Sequence, residues 1–139
     1  MNFRIIKDKA ELDGTAYFEF LPGKYNGTCW NDNAIFLDED SMALVEEIFE
    51  RNVEHYDHFA FSEIDKGQGS RILADLQKLE TEITSNKKIS GETFSDEYYN
   101  ALNEQVAANK SKVVEMISEL RQWLDVTLEK SVCVSILGL

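Results

Sequence analysis

With 139 residues, 43% of them apolar and 11% aromatic, the chain can bury a packed core, which argues against global disorder. Its formal charge of -12 opposes nucleic acid and anionic membrane surfaces and favours a cationic partner. One domain, residues 1–139, is expected at this length, and no apolar run approaches the ~18 residues of a spanning helix.

Taken in order, Phe3–Lys7 is predicted as a short strand, followed by a turn at Leu12-Asp13-Gly14. Thr15–Leu21 is a stronger strand candidate, with Tyr17, Glu19 and Leu21 alternating against Phe18 and Phe20. Turns at Pro22-Gly23 and Asn26-Gly27 lead to two further strands, Thr28–Trp30 and Ala34–Leu37, which completes a small antiparallel meander. Asp40-Ser41 then supplies an N-cap for a helix running to about Glu54, with Asp38 and Glu39 at its positive end. Residues 55–64 are ambiguous, although Phe59, Phe61 and Ile64 suggest a short extended segment.

Gly67-Gln68-Gly69 reads as a chain break, after which Ser70 caps a helix whose stripe is Ile72, Leu76, Leu79 and Ile83. Ser85 to Gly91 is a polar loop. Ser95 opens the longest helical pattern, which keeps its apolar stripe to Lys130. A single helix of ~35 residues would be ~52 Å long, against a diameter of ~37 Å for a compact domain of this size. A break or bend near Asn109-Lys110-Ser111 is therefore expected, or else a projecting helix. Val132–Leu137 is a terminal strand able to pair with the meander. The expected fold class is α+β: a small antiparallel sheet, made of the N-terminal meander and the C-terminal strand, packed with three to four helices, the last long and bent.

The functional signal lies between Asp32 and Asp65. Eleven acids there face one base, Arg51, so this segment carries -10 of the chain's -12. On a helix, Glu46, Glu50, Glu54 and Asp57 recur at steps of four, four and three and share one face, opposite Leu44, Val45, Ile48, Phe49 and Val53. Like charges at that spacing cost roughly 0.2–0.5 kcal/mol per pair and bring no local gain. Two readings follow: a solvated face that maintains solubility, or a surface prepared for a basic partner. The partner reading assigns binding to Asp40, Glu46, Glu47, Glu50, Glu54, Tyr56 and Asp57, and it expects reversal of Glu46, Glu50 and Glu54 to leave folding intact. Tyr25, Trp30, Phe36 and Trp123 are further aromatic candidates, with Phe36 and Trp123 fitting core stripes.

Catalytic signatures are sparse. There is no GxSxG elbow, Walker lysine or GxGxxG, and the acids lack the alternation of a calcium loop. Gly67-Gln68-Gly69-Ser70 precedes a helix but has no lysine to close an anion loop. His55 and His58, flanked by Glu54 and Asp57, are the one metal-like set; His55, His58 and Asp57 form the alternative enzyme site. No cofactor is expected. Lys87-Lys88 and Lys110 with Lys112 are too few to track a phosphate backbone, so neither nucleic acid nor membrane is an expected partner. Cys29 and Cys133 have no CxxC companion and read as buried thiols. Met1–Asp8 lacks an apolar stretch long enough for a signal peptide, and the cytoplasm is the expected compartment.

Leu44-Val45-Glu46-Glu47-Ile48-Phe49-Glu50-Arg51, followed by Glu54-His55, is similar to the acidic recognition helix of the small nuclease-colicin immunity proteins. Ser95-Asp96-Glu97-Tyr98-Tyr99 resembles their Ser-Asp…Tyr-Tyr element, but it lies about forty residues downstream, lacks the following proline and opens a long helix. The β-rich first 37 residues have no counterpart there. In overall character the chain looks like the immunity proteins of bacterial polymorphic-toxin and contact-dependent inhibition systems. That resemblance implies a mode of action, acids and a tyrosine meeting a basic toxin domain such as a nuclease, and not the colicin-immunity fold. A third class is an adaptor or oligomerisation module acting through the C-terminal helix.

Overall fold

The computed structural model describes all 139 residues. Four strands, β1 (Tyr17–Pro22), β2 (Ile35–Asp38), β3 (Phe61–Ile64) and β4 (Val134–Leu137), form one antiparallel sheet in the order β2-β1-β4-β3. Five helices accompany them: α1 (Glu39–Ala43), α2 (Glu46–Asn52), α3 (Lys66–Thr84), α4 (Asp96–Ala108) and α5 (Lys110–Lys130). The α+β class and the long final helix are therefore as expected. The last strand to be made sits inside the sheet, between β1 and β3, rather than on its edge.

The period-2 alternation sets the two faces of the sheet. In register across the strands, Phe20 faces Ile35 and Ile136, and Ile136 faces Ser62; these point towards the helices. Together with Ile72 and Leu76 of α3 and Ile117, Leu120 and Leu124 of α5, they form the main core. Each fully buried Leu, Ile or Phe there contributes roughly 1.5–3 kcal/mol. The other face carries Leu21, Phe36 and Leu137, covered by Ile6, Ala34, Leu12 and Trp30. A layer of loop thus replaces a second layer of helices.

Two of the expected strands are corrected. Phe3–Lys7 meets the sheet only through Ile6, which exchanges backbone hydrogen bonds of 2.9 and 2.8 Å with Phe36. Thr28–Trp30 is a bend, with Trp30 held at φ 59°, a left-handed conformation costly for a bulky residue. Its anchor is Glu19, whose buried carboxylate accepts from Trp30 N–H at 2.7 Å, Asn31 N–H at 3.0 Å and Asn31 Nδ2 at 2.7 Å.

The helix expected to begin at Ser70 is α3, and its N-cap is Asp65, five residues earlier. Asp65 accepts from Gln68 N–H at 2.7 Å while Gln68 Oε1 accepts from Asp65 N–H at 2.9 Å, a reciprocal capping box that outweighs the low helix propensity of Gly67 and Gly69. Gly69 also lies against α5, where a Cβ would collide with Leu128 Cδ1. The expected break in the long helix falls at Asn109, whose φ of -124° and ψ of 27° separate α4 from α5. The apolar stripe of α5 is spent within the fold, on α3 and the sheet. No helix is long and apolar enough to cross a membrane.

Candidate functional site

The acidic segment does not form one continuous helix. Asp38 caps α1 by accepting from Ser41 N–H at 2.8 Å, and the helical path is interrupted at Leu44-Val45 before α2 begins at Glu46. Val53, in extended conformation (φ -110°, ψ 117°), ends α2 before Glu54 is reached. The interruptions displace the expected row of acids, and each acid acquires a different role.

Glu46 points inward and is only 8% exposed. Its Oε2 accepts from Tyr56 Oη at 2.8 Å and lies 2.6 Å from His58 Nδ1. The segment after α2 therefore folds back onto the first turn of the same helix, with His58 packed edge-on against Phe18 at 5.0 Å between ring centres. Glu47, half-buried, turns the other way: its Oε1 accepts from Tyr99 Oη at 3.1 Å and Thr93 Oγ1 at 3.2 Å. The expectation that Glu46 belongs to a free surface is thereby corrected, because its oxygen is committed to two side chains of the same chain. Asp40, Glu50, Glu54 and Asp57 remain exposed.

The Glu47–Tyr99 bond joins two stretches that lie 52 residues apart in the sequence. Ser95 caps α4 through Tyr98 N–H at 3.2 Å, which sets Tyr98 and Tyr99 on its first turn. Tyr98 stacks on Phe94 at 4.3 Å, and Phe94 is exposed. Gly91 closes over the junction: a Cβ there would meet Glu47 Oε1 and Tyr99 Oη, so a larger residue would have to displace the two side-chain ends that form the bond.

These groups lie close enough to act on one another's charge. Burial, then Glu46 and Glu47, push the Glu50 carboxyl up from its ordinary value, with His58 opposing. Burial followed by the Glu46 hydrogen bond raises the Tyr56 phenol strongly. Tyr98 is raised by burial and then by Asp40, and Tyr99 by burial and then Glu47. Asp40, Glu46, Glu47, Glu50, Tyr56, His58, Tyr98 and Tyr99 thus make one acid–tyrosine neighbourhood, gathered from α1, α2, residues 56–58 and the start of α4.

Aromatic exposure continues beside it. Phe59 is 74% exposed and packs on His58 at 4.7 Å, and Phe61 is 52% exposed and stacks on Tyr25 at 5.0 Å. Phe59 and Phe94 were not legible as surface residues, since their hydrophobicity signals core until the tertiary fold assigns them outward, whereas Tyr98 is half-buried against the main core. Among the aromatic candidates, Phe36 is fully buried, Trp30 is half-buried against it at 5.6 Å, and Trp123 packs on the main core.

The alternative metal set is not assembled. His55, in a left-handed conformation at φ 59°, projects into solvent beside Glu54 at 3.5 Å, while His58 turns inward to Glu46. No group of three or more His, Cys, Asp or Glu side chains converges to hold a metal ion. Cys29 is exposed, correcting the expectation of two buried thiols, and Cys133 is buried; both are free. No family model matches this chain, and no curated protein or solved structure does so either.

Proposed function

We propose that this chain is an immunity-type inhibitor that binds and neutralises a basic toxin domain through the acid–tyrosine surface built on α2. The carrying observation is the junction of α2 with the Tyr98-Tyr99 turn through the Glu47–Tyr99 hydrogen bond of 3.1 Å. The two elements that resemble the nuclease-colicin immunity proteins are distant in sequence but adjacent in space. Asp40, Glu50, Glu54 and Asp57 would meet cationic groups of the partner, with Tyr98, Phe94 and Phe59 as anchors; Tyr56, Glu46 and Glu47 brace the surface from within. Exposed acids raise the rate of encounter with a basic protein, and aromatic anchors supply the affinity that survives desolvation. The packing of the α5 stripe against α3 and the sheet favours this reading over the adaptor one.

The test is a capture from the native host at low ionic strength, eluted with a salt gradient. A single basic protein, released by salt or retained tightly, is the expected result. Capture of no basic protein would reject the reading.

A further inference from the structure

A sizeable cavity borders the cleft that Glu47 lines, sharing Ile83, Lys87 and Lys88 with it. About 450 Å³ in volume, it sits between the end of α3, residues 86–88, the outer side of α4 and the first residue of α5. That volume is within the range of small-ligand pockets. Ile83, Val106 and Ala107 give it an apolar lining, whereas Lys87, Lys88 and Lys110 bring three ammonium groups to it. A chain with 26 acids and 14 bases gathers three cations around one cavity, against a single lining carboxylate, Glu104.

Local structure explains how the lysines come together. Asn86, at φ 62°, ends α3 in a Schellman turn: Asn86 N–H donates to Ile83 O at 3.0 Å and Lys87 N–H to Glu82 O at 2.9 Å. The turn redirects the chain so that Lys87 and Lys88 follow directly at the cavity. Asn86 Oδ1 accepts from Lys110 Nζ at 2.8 Å and draws the start of α5 to the same place. Lys87 reaches Glu82 at 3.4 Å, but neither Lys88 nor Lys110 has a carboxylate partner. Asn103 is consumed by Ile89, to whose N–H and carbonyl it bonds at 2.7 and 2.8 Å, whereas the Asn100 amide makes no hydrogen bond within the chain and stays free for a ligand.

We infer that this cavity binds a small phosphate monoester, its apolar group on Ile83, Val106 and Ala107 and its phosphate between Lys88 and Lys110. Ammonium groups act as point charges on phosphate oxygens, and two without a carboxylate partner, Lys88 and Lys110, suit a dianion better than a carboxylate. The apolar lining distinguishes the site from a patch that merely attracts inorganic anions.

The experiment is an amide chemical-shift titration of the intact protein with phenyl phosphate, inorganic phosphate and benzoate in turn. Phenyl phosphate is expected to saturate at the lowest concentration, with shifts confined to residues 83–88 and 100–110. Lys88→Gln combined with Lys110→Gln should weaken it by about tenfold or more, as loss of charge-assisted bonds does, and Ala107→Trp should fill the cavity and abolish binding. Lys88→Gln alone, at an exposed position, serves if the double variant is unfolded. Equal binding of inorganic phosphate, tighter binding of benzoate, absence of saturable shifts, or indifference to the lysine substitutions would each overturn the inference.

Discussion

His58 Nδ1 lies 2.6 Å from the same Glu46 oxygen that accepts the Tyr56 hydroxyl at 2.8 Å. One carboxylate, 8% exposed, thus ties residues 56–58 to the first turn of α2 and fixes the base of the proposed binding surface.

Glu46→Ala would leave a half-buried phenol and an imidazole without their acceptor. Unsatisfied groups of this kind cost about 1–3 kcal/mol, whereas Glu54→Ala, at an exposed position, should change stability by less than about 0.5 kcal/mol. Urea unfolding of the two variants measures the contrast. Equal stabilities would mean that the Glu46 cluster is not structural.

Glu50 behaves in the opposite sense. Its carboxyl is raised above the ordinary 4.5 by burial and by Glu46 and Glu47, so folding disfavours its ionised form. The resulting cost is absent at low pH, appears as pH rises past 4.5, and is complete above the raised value. Glu50→Gln should therefore stabilise the protein at neutral pH, by roughly 0.2–0.5 kcal/mol given the side chain's exposure. Thermal unfolding at pH 7 and again below the carboxyl range should show the gain at the first and its loss at the second.

Gly69→Ala separates propensity from packing. Alanine is favoured over glycine within a helix by roughly 0.5–1 kcal/mol, but the new methyl would collide with Leu128 Cδ1 in the core. Overpacking of this kind costs about 1–3 kcal/mol, so a net loss of about 1 kcal/mol is expected. A gain in stability by urea unfolding would show that α5 yields easily at Leu128.

The same glycine shows where the sequence was hard to read. Gly67 and Gly69 lower helix propensity and conceal the start of α3, although Asp65 and Gln68 stand at capping-box spacing and are the signal that could have revealed it. The break at Asn109 and the strand Val134–Leu137 were legible, the first because helix length conflicts with domain size, the second because β-branched residues cluster there. The inward turn of Glu46 was not, since it depends on the interruption at Leu44-Val45 and on partners ten and twelve residues away. Nor was the Glu47–Tyr99 contact, which spans 52 residues and exists only once α4 docks.

The most direct test of the proposed function is capture of the basic partner by the variant Glu50→Lys, Glu54→Lys, Asp57→Lys, beside the unaltered protein, at low ionic strength. All three residues are exposed and outside the core, so the variant should keep its far-UV spectrum while losing one turn bond, from Phe59 N–H to Asp57 Oδ1 at 2.8 Å. Association is predicted to slow at least tenfold, and the difference should shrink as salt screens the remaining charges. Capture at an unchanged rate by a folded variant would contradict the account, and would leave the acidic surface a feature of solubility alone.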